Sequence, residues 1–268
     1  MTEAHPGSDL PDSAPVEYRR LRIAGGDVIA RADVLPYVHD AILTSGSLYA
    51  FAADHPQSET IQGRARLYIV PGPGADRWVV RKLTHGGALA PLTGDRFLRL
   101  GLPRPFNELR ISLALQAAGI PTPEVAAAVT YASGPIYRGE VARAEIGDAA
   151  DLAACLFEPP ELDRDRRRAV LAEAGRLIAT LHRAGIVHPD LNLRNLLIAE
   201  SSGDPRAYVL DVEKCRRARR VSPAARNRML RRLRRSARRF EARGGARISE
   251  EEWRAFQSGY ESRWQGGL

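Results

Sequence analysis

The pattern of apolar and polar positions changes character about halfway along the chain. From Tyr18 to Val34, and again from Ser58 to Leu83, apolar residues come in short β-rich runs such as ARLYIV (Ala65 to Val70) and RWVVRKL (Arg77 to Leu83). The turn formers PGPGAD between those two runs predict a hairpin. LPYVHDAIL (Leu35 to Leu43) reads as a short helix. RPFNELRISLALQAAG then shifts to the helical period, with Phe106, Leu109, Leu113 and Ala117 on one side, and Gly119 and Pro121 stop it. VAAAVTYA and PIYRGEVARAEI predict two further strands that turn at Ser133, Gly134 and Pro135.

The second half is mainly helical. DRDRRRAVLAEAGRLIATLHRAG starts at an Asp163 cap, places Val170, Ala174, Leu177 and Leu181 on one face, and ends at Gly185. A polar loop, VHPDLNLRN, follows, then a strand LLIA, a turn SSGDP and a strand AYVLDVE. Next comes an Arg-rich helix whose apolar stripe is Met229, Leu233, Ala237 and Phe240. A last helix starts at Ser249, with three acids in its first turn. These periods predict an α+β chain of two lobes: a disordered tail over 1–16, an antiparallel β-rich lobe with one inserted helix over 17–146, and a mainly helical lobe over 147–268.

Length and composition fit that division. At 268 residues and 44% hydrophobic, the chain can bury a substantial core. MTEAHPGSDLPDSAP, rich in Pro, Ser and Asp, lacks the basic start and apolar centre of a signal peptide. No apolar run is long enough to span a bilayer. Cys155 and Cys215 suit neither a disulfide framework nor a zinc site, so a reducing, cytoplasmic setting is expected. The formal charge is +8, from 40 basic and 32 acidic residues. Codon bias accounts for the use of arginine in place of lysine, but not for its clustering. From Lys214 to Phe240 there is no acid at all. Such a patch suits a nucleic acid, a membrane surface or a phosphorylated substrate. RNA-binding modules interleave aromatics with their cations, and only Phe240 lies here, so no nucleic acid is expected.

The polar loop changes the picture most. Phosphoryl transfer needs a carboxylate to take the proton of the attacking hydroxyl, and hard oxygen ligands for the magnesium that neutralises the triphosphate of ATP. Asp190 is the candidate base. Asn195, five residues on, and Asp211, beyond a strand-turn-strand, are candidate metal ligands. This order, with a helix before it, is the catalytic core of the protein-kinase-like fold. The bland alternative is that Asp190 and Asn192 only cap turns. His188 reads as a buried scaffold group. A kinase also needs a cation on the strand before the inserted helix and a glutamate on that helix. Glu108 supplies the acid, and Arg81 or Lys82 the cation. Side chains alternate along a strand, so the V-A-I-K pattern puts Val79 and Arg81 toward the nucleotide and Lys82 away from it. Gly63 is the candidate glycine over the phosphates, although no G-x-G-x-x-G surrounds it.

With these pieces assembled, the chain resembles the lipopolysaccharide kinase family, most of all its 3-deoxy-D-manno-octulosonic acid (Kdo) kinases. The likeness runs from about Gly63 to Tyr260. It is carried by WVVRKLTHGGALAPLTGDRFLRLGLPRPFNELRISLALQAAGIPTPEVAAA, by LHRAGIVHPDLNLRNLLI, by VLDVEKCR, and by RMLRRLRRSARRF with the later W-x-x-F-x-x-G-Y. The resemblance implies ATP-dependent phosphorylation of a Kdo hydroxyl on a Kdo-bearing lipid A precursor, at the cytoplasmic face of the inner membrane. It implies Asp190 as base, Asn195 and Asp211 as magnesium ligands, Arg81 with Glu108 as the phosphate-holding pair, and Glu213 as an acid that assists the metal. Residues 214–240 would then hold the enzyme peripherally on the anionic membrane surface. Pro189 between His188 and Asp190, DVE in place of D-F-G, and arginine in place of lysine are departures. Rival readings are a heptose or other small-molecule kinase of the same fold, a nucleic-acid-binding protein, and an idle scaffold.

Overall fold

Alternation along β5 (Arg77–Lys82) sets the arrangement of the first lobe. Trp78 and Val80 are buried on one face of its strand, and Val79 and Arg81 point the other way. In the computed structural model, which describes residues 16–61, 66–84, 94–160, 162–201, 203–243 and 246–264, this strand lies within an antiparallel sheet. The other strands are β1 (Tyr18–Ile23), β2 (Gly26–Arg31), β3 (Glu59–Ile61), β4 (Leu67–Pro71), β6 (Phe97–Leu98), β7 (Val125–Ser133) and β8 (Ile136–Ala144). Their order is β1-β2-β7-β8-β5-β4-β3, with β6 added on β8. The β4–β5 hairpin pairs Val70 with Trp78 across the expected turn. In β7 the run Val125–Thr130 is buried throughout, because both faces of the sheet are covered there.

One face is covered by α1 (Leu35–Ser45) and α2 (Leu48–Asp54), which pack on Val28, Tyr68, Trp78, Val80 and Val129. The strand signals did not reveal α2. It is only seven residues long, too short to show a period, and depends on its Ser47 cap, whose Oγ accepts from Ala50 N at 3.0 Å. The other face is covered by α3 (Arg104–Ala117). Phe106 and Leu109 of this helix meet the sheet, whereas Ile111 and Leu115 enter the core of the second lobe. The single stripe expected from the sequence is therefore only partly right. Leu113 is half-buried and Ala117 exposed, because α3 lies between two cores and buries two faces.

The second lobe contains β9 (Ala149–Asp151), α4 (Leu152–Phe157), α5 (Arg164–Arg183), β10 (Ile186–Val187), β11 (Leu196–Ser201), β12 (Asp204–Val209), β13 (Arg216–Arg217), α6 (Pro223–Glu241) and α7 (Glu250–Trp264). Asp163 Oδ1 caps α5 by accepting from Arg166 N at 2.8 Å, and Val170, Ala174, Leu177 and Leu181 are all buried. Ser249 and Glu252 cap α7 reciprocally: Ser249 N donates to Glu252 Oε2 at 2.7 Å, and Glu252 N to Ser249 Oγ at 3.3 Å. Helix α6 buries Met229, Leu233 and Ala237 and packs Phe240 against the same core, so its stripe is the one read from the sequence.

Helices α5 and α7 approach until glycine is required at the crossing. A Cβ on Gly175 would collide with the backbone of Phe256, and one on Gly259 with the backbone of Ala172. Gly259→Ala gains up to about 1 kcal/mol in helix propensity, but overpacking against rigid backbone costs about 1–3 kcal/mol. A net loss of stability, read as a lower urea midpoint, is the expected result.

The same contact holds His182, buried against Tyr260 with Nδ1 2.8 Å from its hydroxyl. Burial, helped by Arg226, lowers its pKa to about 4. Between pH about 6.5, the unfolded value, and about 4, the unfolded chain binds a proton that the folded chain does not. Stability contributed by the neutral ring is thus complete above about 6.5 and lost as pH falls toward 4, on the order of 3 kcal/mol in all. A His182→Asn variant should show a flatter profile over that window, measured as the difference between its urea midpoints and those of the native chain.

Candidate functional site

The polar loop follows β10 and is fixed by its apolar members. Leu191 and Leu193 are buried in the second-lobe core, which turns Asp190 and Asn192 outward. Asn192 caps the tight turn Leu193–Asn195, its Oδ1 accepting from Arg194 N at 2.9 Å. The Asp190 backbone carbonyl accepts from Asn192 Nδ2 at 2.9 Å and Asn195 Nδ2 at 2.8 Å. The capping alternative therefore describes Asn192 but not the Asp190 carboxylate. That group is exposed and faces Arg232 Nη1 of α6 at 3.8 Å.

His188 is a scaffold by geometry. Its Nε2 donates to the Leu210 carbonyl at 3.0 Å, its Nδ1 accepts from Asp190 N at 3.3 Å, and its own backbone N–H meets Met229 Sδ at 3.1 Å. One N–H and one lone pair are both in use, as the neutral ring requires. Burial lowers the ring's pKa and favours that form.

The β11–β12 hairpin carries the chain back beside this loop, and Leu210 N donates to the Asn195 carbonyl at 2.9 Å. Asp211 follows in the left-handed region, with φ 57° and ψ 47°, a conformation uncommon for a residue with a side chain. Burial opposes ionisation of Asp211, but Arg81, Arg143 and Lys214 outweigh it and hold the carboxyl below its usual range. Asn195 spends an amide N–H on the Asp190 carbonyl, which leaves Oδ1 as a hard oxygen, and Asp211 follows directly on Leu210, whose N–H holds the Asn195 carbonyl. Two such oxygens are what a magnesium ion takes from a protein when phosphates and water complete its shell. Among the described residues there is no cluster of three or more His, Cys, Asp or Glu that would make a self-sufficient metal cage.

From the first lobe, Arg81 reaches across to this hairpin. Its Nη2 lies 2.7 Å from Glu108 Oε2, and 3.4 Å from both Asp211 Oδ1 and Glu213 Oε2. Lys82 turns to the opposite face, with Nζ 5.2 Å from the centre of the Tyr49 ring. Glu108 is 0% exposed. It is sandwiched by Arg81 and by Arg143, whose Nε is 2.6 Å from Oε1. Burial lowers the pKa of Arg81, yet Glu108, Glu213 and Asp211 outweigh it and raise the pKa above the ordinary arginine value. Glu213 is itself engaged by Arg81, by Arg104 Nη1 at 3.4 Å and by Lys214 Nζ at 3.7 Å, and Asn107 Nδ2 donates to its backbone carbonyl at 2.6 Å. Its carboxyl is raised above the usual range, first by burial and then by Asp211 and Glu108.

Sequence reasoning missed Arg143, Arg104 and Asn107. A signal existed for Arg143. It sits two residues from Val141 on β8, and with Val79 paired to Arg143 and Arg81 to Val141, all four share one face. Arg104 had none beyond its place one turn before Glu108, and Asn107 none beyond its place next to it. Gly63 and the Gly86-Gly87 pair lie outside the described residues.

The chain is similar to known proteins in family, sequence and fold. The model of the lipopolysaccharide kinase (Kdo/WaaP) family matches residues 60–260. A 3-deoxy-D-manno-octulosonic acid kinase of Actinobacillus succinogenes is 32% identical over 186 residues, 68% of this chain and 75% of that protein. One from Stenotrophomonas maltophilia is 30% identical over 212 residues, 76% and 79% respectively. Among solved structures, WaaP in complex with acyl carrier protein covers 85% of this chain and 87% of its own with a TM-score of 0.53; at 19% identity it shows a shared fold. A family match spanning most of the two lobes, with relatives of this identity, leaves one conclusion: the chain belongs to the lipopolysaccharide kinase (Kdo/WaaP) family.

Proposed function

We propose that this chain is an ATP-dependent kinase that phosphorylates a hydroxyl of a Kdo residue on Kdo-lipid A, at the cytoplasmic face of the inner membrane. The observation that supports the reading is that Arg81, paired with Glu108 at 2.7 Å, reaches Asp211 at 3.4 Å, one residue beyond the Leu210 N–H that holds the loop of Asp190 and Asn195. The names of the relatives supply the sugar.

In this reading Asp190 accepts the proton of the attacking hydroxyl as its oxygen bonds to the γ-phosphorus of ATP and the bond to the β-phosphate oxygen breaks. Asn195 and Asp211 hold magnesium, which when bound neutralises charge on the phosphates. Arg81, fixed by Glu108, supplies a further positive charge beside that site. We assign Glu213 to the positioning of Arg81 and Arg104, whose guanidinium groups already occupy its oxygens, in place of direct assistance to the metal. The valine of DVE is compatible with activity: Val212 is buried in the second-lobe core, so an apolar side chain follows Asp211 as the aromatic does in D-F-G.

No described helix is long and apolar enough to cross a membrane. The arginine face of α6 turns away from the core, and basic residues near an anionic leaflet contribute on the order of 1 kcal/mol each. Peripheral, salt-sensitive attachment follows from that charge.

The test is transfer of labelled γ-phosphate from magnesium ATP to detergent-dispersed Kdo-lipid A. Label in the Kdo portion of the lipid supports the reading. Label found only when a heptose-bearing core is supplied would move the acceptor to heptose.

A further inference from the structure

Within FLRLGLPR (Phe97 to Arg104) the apolar residues divide between inside and outside. Phe97 is buried, in ring contact with Tyr137 and covered by the Arg104 guanidinium at 4.3 Å. Leu98 is 64% exposed, Leu100 84% and Leu102 52%. The backbone that presents them is pinned: Arg99 N donates to the Pro135 carbonyl at 2.8 Å, Leu100 N to the Leu98 carbonyl at 2.9 Å, and Arg104 N to Tyr137 Oη at 2.9 Å. Gly101, with φ 79°, makes the turn between Leu100 and Leu102. Three solvent-facing leucines on a fixed turn are a costly feature for a water-facing surface.

Their surroundings are cationic. Arg99 Nη2 lies 3.9 Å from Asp27, which also draws Arg20 at 3.0 Å and Arg22 at 3.8 Å. Three partly exposed arginines thus share one buried carboxylate, leaving a net positive rim. Leucine beside surplus arginine is the chemistry of an anionic bilayer interface, where the chain buries apolar groups at the acyl boundary and keeps cations among the headgroups. The segment also borders the site, since Leu102 is two residues before Arg104, whose Nη1 is 3.4 Å from Glu213.

We propose that Leu98, Leu100 and Leu102 insert into the acyl region of an anionic lipid surface and so turn the cleft toward an acceptor anchored there. The second clause rests on the lipid-acceptor reading. Insertion itself does not, and it differs from the electrostatic attachment assigned to α6, because burial of leucine survives high salt.

The test uses the full chain and phosphatidylcholine vesicles containing phosphatidylglycerol, at about 1 M salt, where the screening length is about 3 Å. The native chain should retain vesicle binding. The triple variant Leu98→Ser, Leu100→Ser, Leu102→Ser should bind at least about tenfold more weakly, with an unchanged thermal melt. Arg231→Gln, Arg235→Gln and Arg239→Gln on α6 should weaken binding only at low salt. A fluorophore on Leu100→Cys in a Cys155→Ser background should be quenched by acyl-chain quenchers in the vesicles. Equal high-salt binding by the native chain and the triple leucine variant, or a bound chain with an unquenched probe, would overturn the proposal. Phosphate transfer in detergent, which needs no bilayer, is read in parallel. Its absence in the native chain counts against the acceptor and leaves the vesicle result to decide insertion.

Discussion

Asp190→Asn should lower kcat by about 10²–10⁴-fold, the usual range for loss of a positioned general base, and leave the KM for ATP nearly unchanged. The loop is held by backbone atoms of Asp190 and by the buried side chains of Leu191 and Leu193, and the asparagine alters neither. The isosteric amide cannot take a proton at neutral pH, so the loss should fall on the chemical step. Single-turnover transfer under saturating ATP, with a parallel nucleotide-binding titration, separates the two. A drop in ATP affinity as large as the drop in kcat would assign Asp190 to nucleotide binding instead.

The second large effect is on stability. Glu108→Ala leaves Arg81 and Arg143 buried with their shared counter-charge removed, and breaking a buried ion pair from one side costs about 3–5 kcal/mol. Replacing both partners with apolar groups is often close to neutral. Glu108→Leu combined with Arg143→Leu should therefore recover much of the stability lost in Glu108→Ala. Activity should stay low, because Arg81 has lost the carboxylate that aims it. Urea unfolding and phosphate transfer on the same proteins measure both. Recovery of activity along with stability would show that Glu108 serves only to balance charge.

Much of this site was legible because strand alternation is strict. One residue of register separates Arg81, facing Glu108 at 2.7 Å, from Lys82, facing Tyr49. The loop was legible because of its spacing: a carboxylate, an amide five residues on, and a second carboxylate after one hairpin. What escaped depends on more than one element. The burial of Ile111 and Leu115 follows from a second core that no period in α3 reports. Arg143 gains its meaning only when β8 is placed beside β5. Helix α2 was hidden because its seven residues are anchored from β8 and β7, where Glu140 accepts from Tyr49 N and Tyr131 donates to Glu140, both at 2.9 Å.

The two-sided burial of α3 bears on how such an enzyme can be controlled. Many kinases rest with the equivalent helix swung outward and the glutamate parted from its cation, and are turned on by bringing it in. Here an outward swing would strip Ile111 and Leu115 from the second-lobe core, at roughly 1.5–3 kcal/mol for each side chain, before the ion pair of Glu108 is counted. The helix is welded at both ends of its working face, and the pairing of Arg81 with Glu108 is built into the packing of the fold.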